Sequence, residues 1–518
     1  MLHQLEVEAI DISTAFLQGL NFKQVVARAR QLGLEVKELR RVWLKPPANV
    51  WRHLRSINGS NINVQEWDVP YFLLELLKAM YGLVDGPLLF QLALLHWLTT
   101  SVGMLRSLHD DNYLYFSQEW ELIAVFVVHV DDVLLCAKRY FIEWAIREIE
   151  RRFGKLKRKQ LPFTYLGIEH ERLGRHHVFL HQLPYLSKLK PIELLPHRRK
   201  QKDSACDRDE HHAFRSLLCS ILWLCPTRMD IVAEVVMLQT EMVHPKIQHI
   251  VELNALLARA VKHATYNGLH FGEIHLPGLK VVGIGDAGQA SSRSLYAQEG
   301  KVCVIMSNDG REPPQEWLTA TEVRQLGGIA HPLFHSGKKA SRVSHSTSHA
   351  EALSAIGTTQ VAQLIADRIT EPFARHILGR QAIDARALLL IKSNAMTTIR
   401  VDHVTDCMDL WELVCGVKGL SADKNQRLVI TALREDRLHG NIRQFQHWPT
   451  SIMLADGLTK SGSCFFQLLR YATTGRIALE LKDDKRVRVR GAWKGADNSD
   501  ADADGSLERA TEGPTVCY

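Results

Sequence analysis

The sequence predicts an α+β unit, followed by a mainly helical segment and then by an α/β unit. Three observations support this fold class. Strand-like apolar runs mix with amphipathic helical segments in the first 180 residues, apolar residues recur at three- and four-residue spacings between residues 210 and 267, and strands alternate with helices after Leu279. The 518 residues also exceed what one hydrophobic core holds, so about three domains are expected.

The first unit begins with the alternating strand HQLEVEAIDI (3–12) and the helix FKQVVARARQLG (22–33). The short strand VWLKPP (42–47) ends at two prolines, and residues 72–98 have a helical pattern that YGLVDGP interrupts. Later elements are the strands NYLYFS, LIAVFVVHV and VLLCA, the amphipathic helix FIEWAIREIERRFG and the strand FTYLGIEHER.

The second half of the chain has a different order of elements. Its helical segments are FRSLLCSILWL, DIVAEVVMLQTEMV and IQHIVELNALLARAVKHA. The α/β unit then consists of LKVVGIGDAG, KVCVIMSN, HAEALSAIGTTQVAQLIADRI, TTIRVDHVTD, DKNQRLVITALREDRL and the closing segment LADGLTK. From Lys482 onward the residues are small and charged, a composition that cannot form a core and indicates disorder.

Composition narrows the class of protein. The hydrophobic fraction of 46% and charged fraction of 23% are typical of a soluble globular protein, and a net charge of +7 permits nucleic-acid binding without requiring it. No apolar run reaches the ~18 residues that span a bilayer, and the start of the chain lacks a signal-peptide pattern. Nine cysteines without a C-x-x-C pair, including Cys219, Cys225 and Cys303, indicate buried reduced thiols of an intracellular protein, in the cytoplasm or nucleus.

Two adjacent acids, Asp131 and Asp132, interrupt the apolar run VVHVDDVLL. The simplest interpretation is a tight turn, which aspartate favours. The apolar flanks indicate instead a buried hairpin whose apex faces a cleft, where paired carboxylates are normally neutralised by two Mg²⁺ ions in phosphoryl chemistry. A third acid is then needed on a neighbouring strand, and Asp11 at the end of the first strand supplies it.

An ordered set of motifs resembles copia-type LTR retrotransposons. DISTAFLQG, LLKAMYGLVDGP, VVHVDDVLL and TYLGIE are similar to motifs of their reverse transcriptase. FRSLLCSILWLCPTRMDIVAEV resembles the segment that joins the polymerase to the ribonuclease H in that family. The motifs of the ribonuclease H itself are similar to GDAG, HSTSHAEALSAI, VTDCMDLWELV and LADGLTK. A single motif of this kind is weak, whereas the ordered set over residues 5–461 is specific.

The resemblance implies roles for the residues of the first unit. Asp11, Asp131 and Asp132 match the metal-binding acids of the polymerase, where one ion activates the primer 3′-hydroxyl and the other holds the triphosphate. Phe16 matches the aromatic gate against a ribose 2′-hydroxyl, although a buried core aromatic is the alternative. His129 stands where the family usually has tyrosine, and we include it among the substrate-binding residues.

The segment YGLVDGP lines the nascent base pair in the family, so Gly82 and Pro87 are implied to bind substrate. Val84 and Asp85 replace the Lys-Gln pair that the family usually has there, which affects template contact. Relatives also have a fingers region upstream of the first catalytic strand, and Met1 lies just before that strand. We therefore expect an N-terminally truncated polymerase with impaired activity.

The resemblance also implies a second set of acids, that of ribonuclease H: Asp286, Glu351, Asp406 and Asp456. Such acids bind two Mg²⁺ and direct water at an RNA phosphodiester. Each acid has an alternative. Ser348 and Glu351 could form a capping box, Asp406 could cap the helix that follows it, and Asp402 competes with Asp406 for the third position. Four acids at strand and helix ends of one α/β unit favour a metal site.

The domains follow from these matches. We predict a reverse transcriptase palm without fingers (1–180), a helical thumb and connection (181–272), a ribonuclease H-like domain (273–462) and a partly disordered tail (463–518). The implied cofactor is Mg²⁺ or Mn²⁺. The implied partners are an RNA template, a DNA primer, an RNA–DNA hybrid and deoxynucleoside triphosphates, with no membrane; the sequence leaves the oligomeric state open. The alternative function is a catalytically silent remnant or a domesticated nucleic-acid-binding protein.

Other patterns carry less information. His170, His176, His177 and His181 lie close together in sequence, but without zinc-ligand spacing. The basic runs RRFGKLKRK (151–159) and HRRKQK (197–202) indicate solvated faces, or surfaces that neutralise template phosphates.

Overall fold

The structure is a computed structural model of the chain. It describes residues 5–31, 41–57, 71–110, 112–274, 278–288, 296–307, 317–318, 328–341, 343–344, 346–378, 399–448, 450–460, 465–477, 487–488 and 515–517. These residues belong to two compact units, Met1–Leu161 and Pro162–Tyr518. The second unit begins inside the stretch that we predicted as the palm, and the four predicted domains stay a prediction.

The first unit mixes strands and helices. Its strands are β1 (Leu5–Ile12), β2 (Val42–Leu44), β3 (Leu74–Leu76), β4 (Leu105–Arg106), β5 (Asn112–Phe116), β6 (Leu122–His129), β7 (Asp132–Lys138) and β8 (Leu156–Gln160). Its helices are α1 (Ala15–Gln18), α2 (Phe22–Gln31), α3 (Ala48–Ser56), α4 (Gly86–Trp97, continued by a π-helical turn Leu98–Val102) and α5 (Arg139–Phe153).

The main sheet of the first unit has the strand order β4-β5-β6-β7-β1-β8 with antiparallel neighbours. Side chains alternate across a strand, so Ile10 of β1, Phe126 of β6 and Leu135 of β7 point into one core. Residues of α4 and α5, including Phe90 and Ile142, cover the same core. The hairpin of β6 and β7 is thereby held between β5 and β1, which fixes the position of the acids at its tip.

The predicted helix over residues 72–98 is wrong in its first part. Residues Leu74–Leu76 form β3, which pairs with β2 in an antiparallel two-stranded sheet. The alternation Leu-Glu-Leu suits a strand, and the tertiary pairing with Val42–Leu44 decides between the two patterns. The helix begins only at Gly86, with Pro87 in its first turn, where a missing N–H costs nothing.

The second unit begins with short strands and a group of helices. The strands are β9 (Phe163–Tyr165), β10 (Ile168–Gly174), β11 (His177–His181) and β12 (Leu269–Phe271), which form a four-stranded sheet in the order β12-β11-β10-β9. The helices are α6 (Leu183–Leu186), α7 (Pro196–Lys200), α8 (Arg208–Leu222), α9 (Val232–Gln239) and α10 (Ile247–Lys262). Apolar residues at helical spacing, such as Phe214, Leu218, Leu253 and Leu257, form their shared core.

The remaining elements build a larger sheet. They are β13 (Leu279–Gly288), β14 (Gln298–Ser307), β15 (Trp317–Leu318), β16 (Gly328–Lys339), α11 (Thr347–Leu378), β17 (Arg400–Thr405), α12 (Met408–Val414), α13 (Lys424–Leu438), β18 (Gln444–His447), the 3₁₀ turns Thr450–Ile452 and Leu454–Leu458, α14 (Phe465–Thr474), β19 (Arg476–Ile477), β20 (Val487–Arg488) and β21 (Thr515–Cys517). The strand order is β19-β16-β14-β13-β17-β18-β21.

This seven-stranded sheet is mixed. β13, β14 and β16 are antiparallel neighbours, whereas β17 is parallel to both β13 and β18. Helix α11 packs closely on one face, because a Cβ at Gly285 would lie 2.9 Å from the Thr358 hydroxyl oxygen. The turn Leu454–Leu458 packs as closely on the other face, since a Cβ at Gly300 would lie 2.5 Å from the Ala455 carbonyl oxygen. Glycine therefore lets both elements approach the sheet.

The C-terminal region is partly ordered. Helix α14 lies within the predicted tail, yet its Leu468 and Tyr471 are buried, and the Tyr471 hydroxyl donates to the Ala330 carbonyl oxygen (3.0 Å). The disorder predicted from Lys482 onward falls outside the described residues, apart from β20 and β21. Among the described residues, no helix combines the length and the apolar content that crossing a bilayer requires.

The cysteines differ from the prediction of buried reduced thiols. Cys303 is buried and free, as expected, and burial raises the pKa of its thiol to about 12. Cys219 is free but exposed, because it lies on the outer face of α8. Cys415 is disulfide-bonded. The expectation is therefore wrong for Cys219 and Cys415.

Candidate metal centres

The first set of acids lies at one end of the antiparallel sheet. Asp11 of β1 is the direct cross-strand partner of Asp132 of β7, and the Ile12 N–H donates to the Asp131 carbonyl oxygen (3.2 Å). Cross-strand partners of this kind have Cα atoms only ~4.5–5.5 Å apart. The structure thus places Asp11 beside a pair of acids that lies about 120 residues away in sequence.

The tip of the hairpin that carries these acids has an unusual backbone. His129 pairs with Asp132, so Val130 and Asp131 form a two-residue turn, and Val130 has a positive φ of 58°. A β-branched residue rarely adopts this conformation, and hairpin turns usually place glycine there. Strain of this kind is characteristic of functional sites, where the surrounding structure enforces it.

Charges around the first set oppose one another. Burial and the neighbouring carboxylates of Asp131 and Asp11 raise the pKa of Asp132, whereas Lys159 and His129 act to lower it. Lys157, on β8 directly opposite Asp11, places its Nζ 3.4 Å from the Asp11 carboxylate. This lysine is 70% exposed and Asp11 28%, so water also reaches the pair.

The other predicted residues of the first unit form a second local group. The rings of Phe16 and Tyr81 are 4.9 Å apart, and a Cβ at Gly86 would touch the Phe16 ring. Gly82 adopts a positive φ of 93°, and Val84 is almost fully exposed. Pro87 is partly buried in the first turn of α4, Asp85 precedes that helix without a side-chain cap, and His129 is exposed beside the acids.

The sequence analysis missed Glu8, a buried acid on the same strand as Asp11. Its carboxylate accepts hydrogen bonds from Arg158 (2.6 and 2.9 Å), Gln160 (2.9 Å) and Arg139 (3.1 Å). These bonds, together with those to Glu143, raise the pKa of Arg158. Glu8 shares the core-facing side of β1 with Ile10 and Ile12, and an acid in that alternation is the signal that could have revealed it.

In the second set of acids, Asp286, Glu351 and Asp456 are buried and Asp406 is half-buried. One carboxylate oxygen each of Asp286, Glu351 and Asp406 lies within 4.8 Å of the other two. β13 and β17 run parallel with Ile284 opposite Val404, so the residues two positions further on, Asp286 and Asp406, emerge at the same edge of the sheet. Glu351 reaches them from the first turns of α11.

Few groups compensate this buried charge. Burial and the carboxylates of Asp286 and Asp406 raise the pKa of Glu351 well above its usual value, although the Ala287 N–H donates to it. Burial and Asp406 raise the pKa of Asp286 to about 6, and the Thr459 hydroxyl donates to that carboxylate. Burial also raises the pKa of Asp406, against a hydrogen bond from Thr450.

No family model matches the chain. The chain is 24% identical over 318 residues to the retrovirus-related Pol polyprotein from transposon RE1 of Arabidopsis thaliana. In sequence, the chain thus resembles a retrotransposon Pol polyprotein. The match covers 59% of the chain and 20% of the plant polyprotein, so the chain spans about a fifth of the length of that curated protein.

One solved structure is similar over more of the chain. It is the foamy viral protease-reverse transcriptase in complex with an RNA/DNA hybrid, with a TM-score of 0.39 and 10% sequence identity. The similarity covers 84% of this chain and 43% of the viral chain. The sequence match to the plant Pol polyprotein is what confirms the family resemblance that the motifs predicted.

The fourth predicted acid is not part of the group formed by Asp286, Glu351 and Asp406. Asp456 lies in the turn Leu454–Leu458, is 1% exposed, and forms an ion pair with Lys460. Burial lowers the pKa of Lys460, but Asp286 and Asp456 outweigh this effect and the pKa is raised. The negative charge of Asp456 also acts to raise the pKa of Asp286 and of Asp406.

The alternative roles of the acids can now be compared with the structure. Helix α11 begins at Thr347, so Ser348 lies inside the helix, while the Glu351 carboxylate contacts Asp286. Cys407, which makes no side-chain cap, occupies the N-cap position of α12 that Asp406 might have filled. Asp402 is instead bound by Lys280 (2.8 Å), away from the three acids.

The second set fits a divalent cation. Carboxylate oxygens are the ligands that Mg²⁺ and Mn²⁺ prefer, and those of the three acids lie close to the spacing that one ion imposes. Glu351 Oε2 is buried without a hydrogen-bond partner among the described residues. A bound cation would also offset the repulsion that raises the pKa of these acids.

The other sequence patterns form no such cluster in the described part of the chain. His177 and His270 are hydrogen-bonded to each other (3.0 Å), and burial lowers the pKa of both rings. His181 contacts Glu171 (3.2 Å). Of the basic runs, Arg158 is bound to Glu8, and Arg198 is bound to Glu210.

Proposed function

We propose that the second unit hydrolyses the RNA strand of RNA–DNA hybrids with Mg²⁺ or Mn²⁺, as the ribonuclease H part of a copia-type Pol polyprotein. The observation that carries this proposal is the cluster of the buried Asp286 and Glu351 with the half-buried Asp406, whose ligand atoms lie within 4.8 Å of one another. Similarity to a retrotransposon Pol polyprotein supports the choice of substrate class.

The residues of the cluster divide the work of such a site. Asp286, Glu351 and Asp406 would hold the cation, and the Thr459 hydroxyl and Ala287 N–H fix two of the carboxylates in place. A divalent cation held by these carboxylates would supply Lewis-acid chemistry for the attack of water on a phosphodiester. Asp456, the fourth acid, would complete a second cation position beside Asp286.

We propose the RNA-directed DNA polymerase role for the first unit. Asp11, Asp131 and Asp132 would hold the cations that bind a deoxynucleoside triphosphate and activate the primer end. The ring of Phe16, packed on Tyr81, would exclude the ribose 2′-hydroxyl.

The substrate-binding residues of this unit would be His129, Gly82 and Pro87, with Val84 and Asp85 beside the template. Polymerase activity is proposed to be weak on the basis of the exposed Val84 and of Asp85, which replace the polar Lys-Gln pair of the family.

A catalytically silent nucleic-acid-binding protein is the second candidate. One acid of each set contacts a lysine: Asp11 contacts Lys157, and Asp456 contacts Lys460. A lysine that neutralises a carboxylate takes the place of a metal cation, and this supports the second candidate. In that case the basic residues would bind nucleic acid while neither cluster supports chemistry.

Cleavage of a labelled RNA–DNA hybrid in Mg²⁺ or Mn²⁺ separates the two functions. We expect cleavage that EDTA abolishes, and at least a ~100-fold loss of rate in Asp286→Asn, because the change removes a ligand and part of the charge that holds the cation. Asp423→Asn is the matched control, since asparagine caps α13 about as well as Asp423 does. Cleavage that persists in Asp286→Asn, or none in the unsubstituted protein, would contradict the nuclease proposal.

A further inference from the structure

The fourth acid of the second set has a cation partner supplied by the chain itself. Lys460 lies one helical turn after Asp456, and its ammonium group contacts the Asp456 carboxylate. The Asp456 side chain is 2% exposed, whereas the Lys460 side chain is 41% exposed. The buried carboxylate is therefore held by a lysine whose side chain is partly exposed to solvent.

The backbone fixes this pair firmly against the acid cluster. The N–H groups of Thr459 and Lys460 both donate to the Asp456 carbonyl oxygen (3.2 and 3.1 Å). The Thr459 hydroxyl donates to Asp286 in the cluster, and Gly300 permits the close packing of the turn on β14. The position of Asp456 is thus set by the sheet, while the Lys460 side chain, which is partly exposed, can leave the carboxylate by rotating.

The positive charge of Lys460 and a second divalent cation need the same carboxylate. The Thr459 hydroxyl donates to the Asp286 carboxylate and also lies 3.2 Å from the Asp456 carbonyl oxygen, so a cation shared between the two acids would lie beside the ammonium group on Asp456. Two positive charges at one buried carboxylate repel each other strongly in a region with little water. The Lys460 ammonium group and a second divalent cation should therefore not bind Asp456 at the same time.

We propose that Lys460 blocks the second cation position of the second set until its ammonium group is drawn away by a nucleic-acid phosphate. The inference rests on the proposed nuclease function. Without nucleic acid, one divalent cation binds at Asp286, Glu351 and Asp406, and the second position stays closed. A phosphodiester is a suitable new partner because lysine binds phosphate as a mobile point charge. Substrate binding and loading of the second cation are then coupled.

Isothermal titration of Mn²⁺ into the full chain without nucleic acid tests the proposal. Asp131→Asn/Asp132→Asn in every variant removes cation binding by the first set. We expect one Mn²⁺ for this background and two for the same background with Lys460→Met, because loss of the ammonium group should raise the affinity of the second position at least about tenfold, from below the detectable range. Lys460→Arg keeps the charge and should retain one ion. Lys418→Met, which removes a lysine paired with Asp409 and Glu412, is the matched control and should also retain one.

The possible outcomes separate this inference from the function on which it rests. A single ion with unchanged affinity in Lys460→Met, or weaker binding there, would show that Lys460 only anchors the turn, and would overturn the blocking role. Adding Asp456→Asn to Lys460→Met should restore a single ion; two ions in that variant would place the second cation elsewhere. Absence of Mn²⁺ binding in the background itself would instead overturn the metal site, and with it the proposed nuclease.

Discussion

The two sets of acids differ in how their charge is compensated. In the first unit, Asp11, Asp131 and Asp132 lie at the open end of a sheet. Water and the exposed Lys157 both reduce the repulsion between their carboxylates there. In the second unit, Asp286 is 1% exposed and Glu351 5%, and an oxygen of Glu351 has no hydrogen-bond partner among the described residues. The buried set therefore depends far more on an added cation than the open set does.

Glu8 shows that burial of an acid alone does not make a site. Glu8 is 2% exposed, much like Glu351, yet Arg158, Gln160 and Arg139 donate hydrogen bonds to it. Its bonding capacity is used within the fold, and nothing remains for a ligand. A buried carboxylate whose oxygens stay unbonded, such as that of Glu351, is the stronger indication of a cation site.

The largest expected effect separates the two sets by activity. Asp131→Asn should reduce primer extension on poly(rA)–oligo(dT) by on the order of a thousandfold, because residues that act as one catalytic unit fail together. Cleavage of the RNA strand of a hybrid should stay within about twofold, since the nuclease acids belong to another unit. Both rates are measured on the same preparation. Loss of both activities in Asp131→Asn would mean that the two sets do not work separately.

The next largest effect contrasts two glutamates of equal burial. Glu8→Gln should lower the free energy of unfolding by about 2 kcal/mol, because it breaks a buried ion pair. It also replaces a carboxylate oxygen, which accepts from Arg158, by an amide NH₂ group that can only donate. Glu351→Gln in EDTA should leave stability unchanged or raise it, because it removes one of three crowded carboxylates. Urea unfolding of both variants at pH 7.5 measures the difference. Equal destabilisation would remove the distinction between structural and ligand acids.

The sequence predicted the elements that carry the acids better than it predicted their surroundings. The strand containing Asp11 and the hairpin of Asp131 and Asp132 follow from alternation and apolar runs, which are local signals. The strand at Leu74–Leu76 was missed because its pairing partner is distant in sequence. Local pattern alone cannot show which of two weak preferences a tertiary contact selects.

The ion-pair partners were beyond the reach of the sequence for the same reason. Lys157, Arg158 and Lys159 appear as one basic run, yet pleating sends Arg158 to Glu8 on one face and Lys157 to Asp11 on the other. The motif LADGLTK contained both Asp456 and Lys460, but only the turn of the backbone shows that they bind each other. Motifs thus identified candidate ligands, while the competing cations required three-dimensional structure.

A smaller effect concerns pH. Burial raises the pKa of Asp286 to about 6, above its usual value of 3.8, so the folded state holds this proton when the unfolded state has lost it. The group therefore contributes stability at low pH that is lost as pH rises through about 6. We expect the stability of Asp286→Asn relative to the unsubstituted protein to increase by about 1 kcal/mol between pH 5 and 7.5 in EDTA. Urea unfolding at both pH values measures it, and a pH-independent difference would contradict the raised pKa.

The smallest effect tests whether solvent exposure weakens the influence of Lys157 on cation binding relative to that of Lys460. Lys157 is 70% exposed and lies 3.4 Å from Asp11, so water screens the pair, and such surface pairs contribute less than about 1 kcal/mol. Lys157→Met should therefore change the Mn²⁺ affinity of the first set by no more than about threefold, whereas Lys460→Met acts on a carboxylate that water does not reach. Titration of Mn²⁺ into Lys157→Met, with Asp286→Asn and Glu351→Gln in the background to remove the second set, gives this affinity. A tenfold tightening would show that the open end of the first sheet excludes water as effectively as the buried cluster, and that Lys157 competes with a cation as Lys460 does.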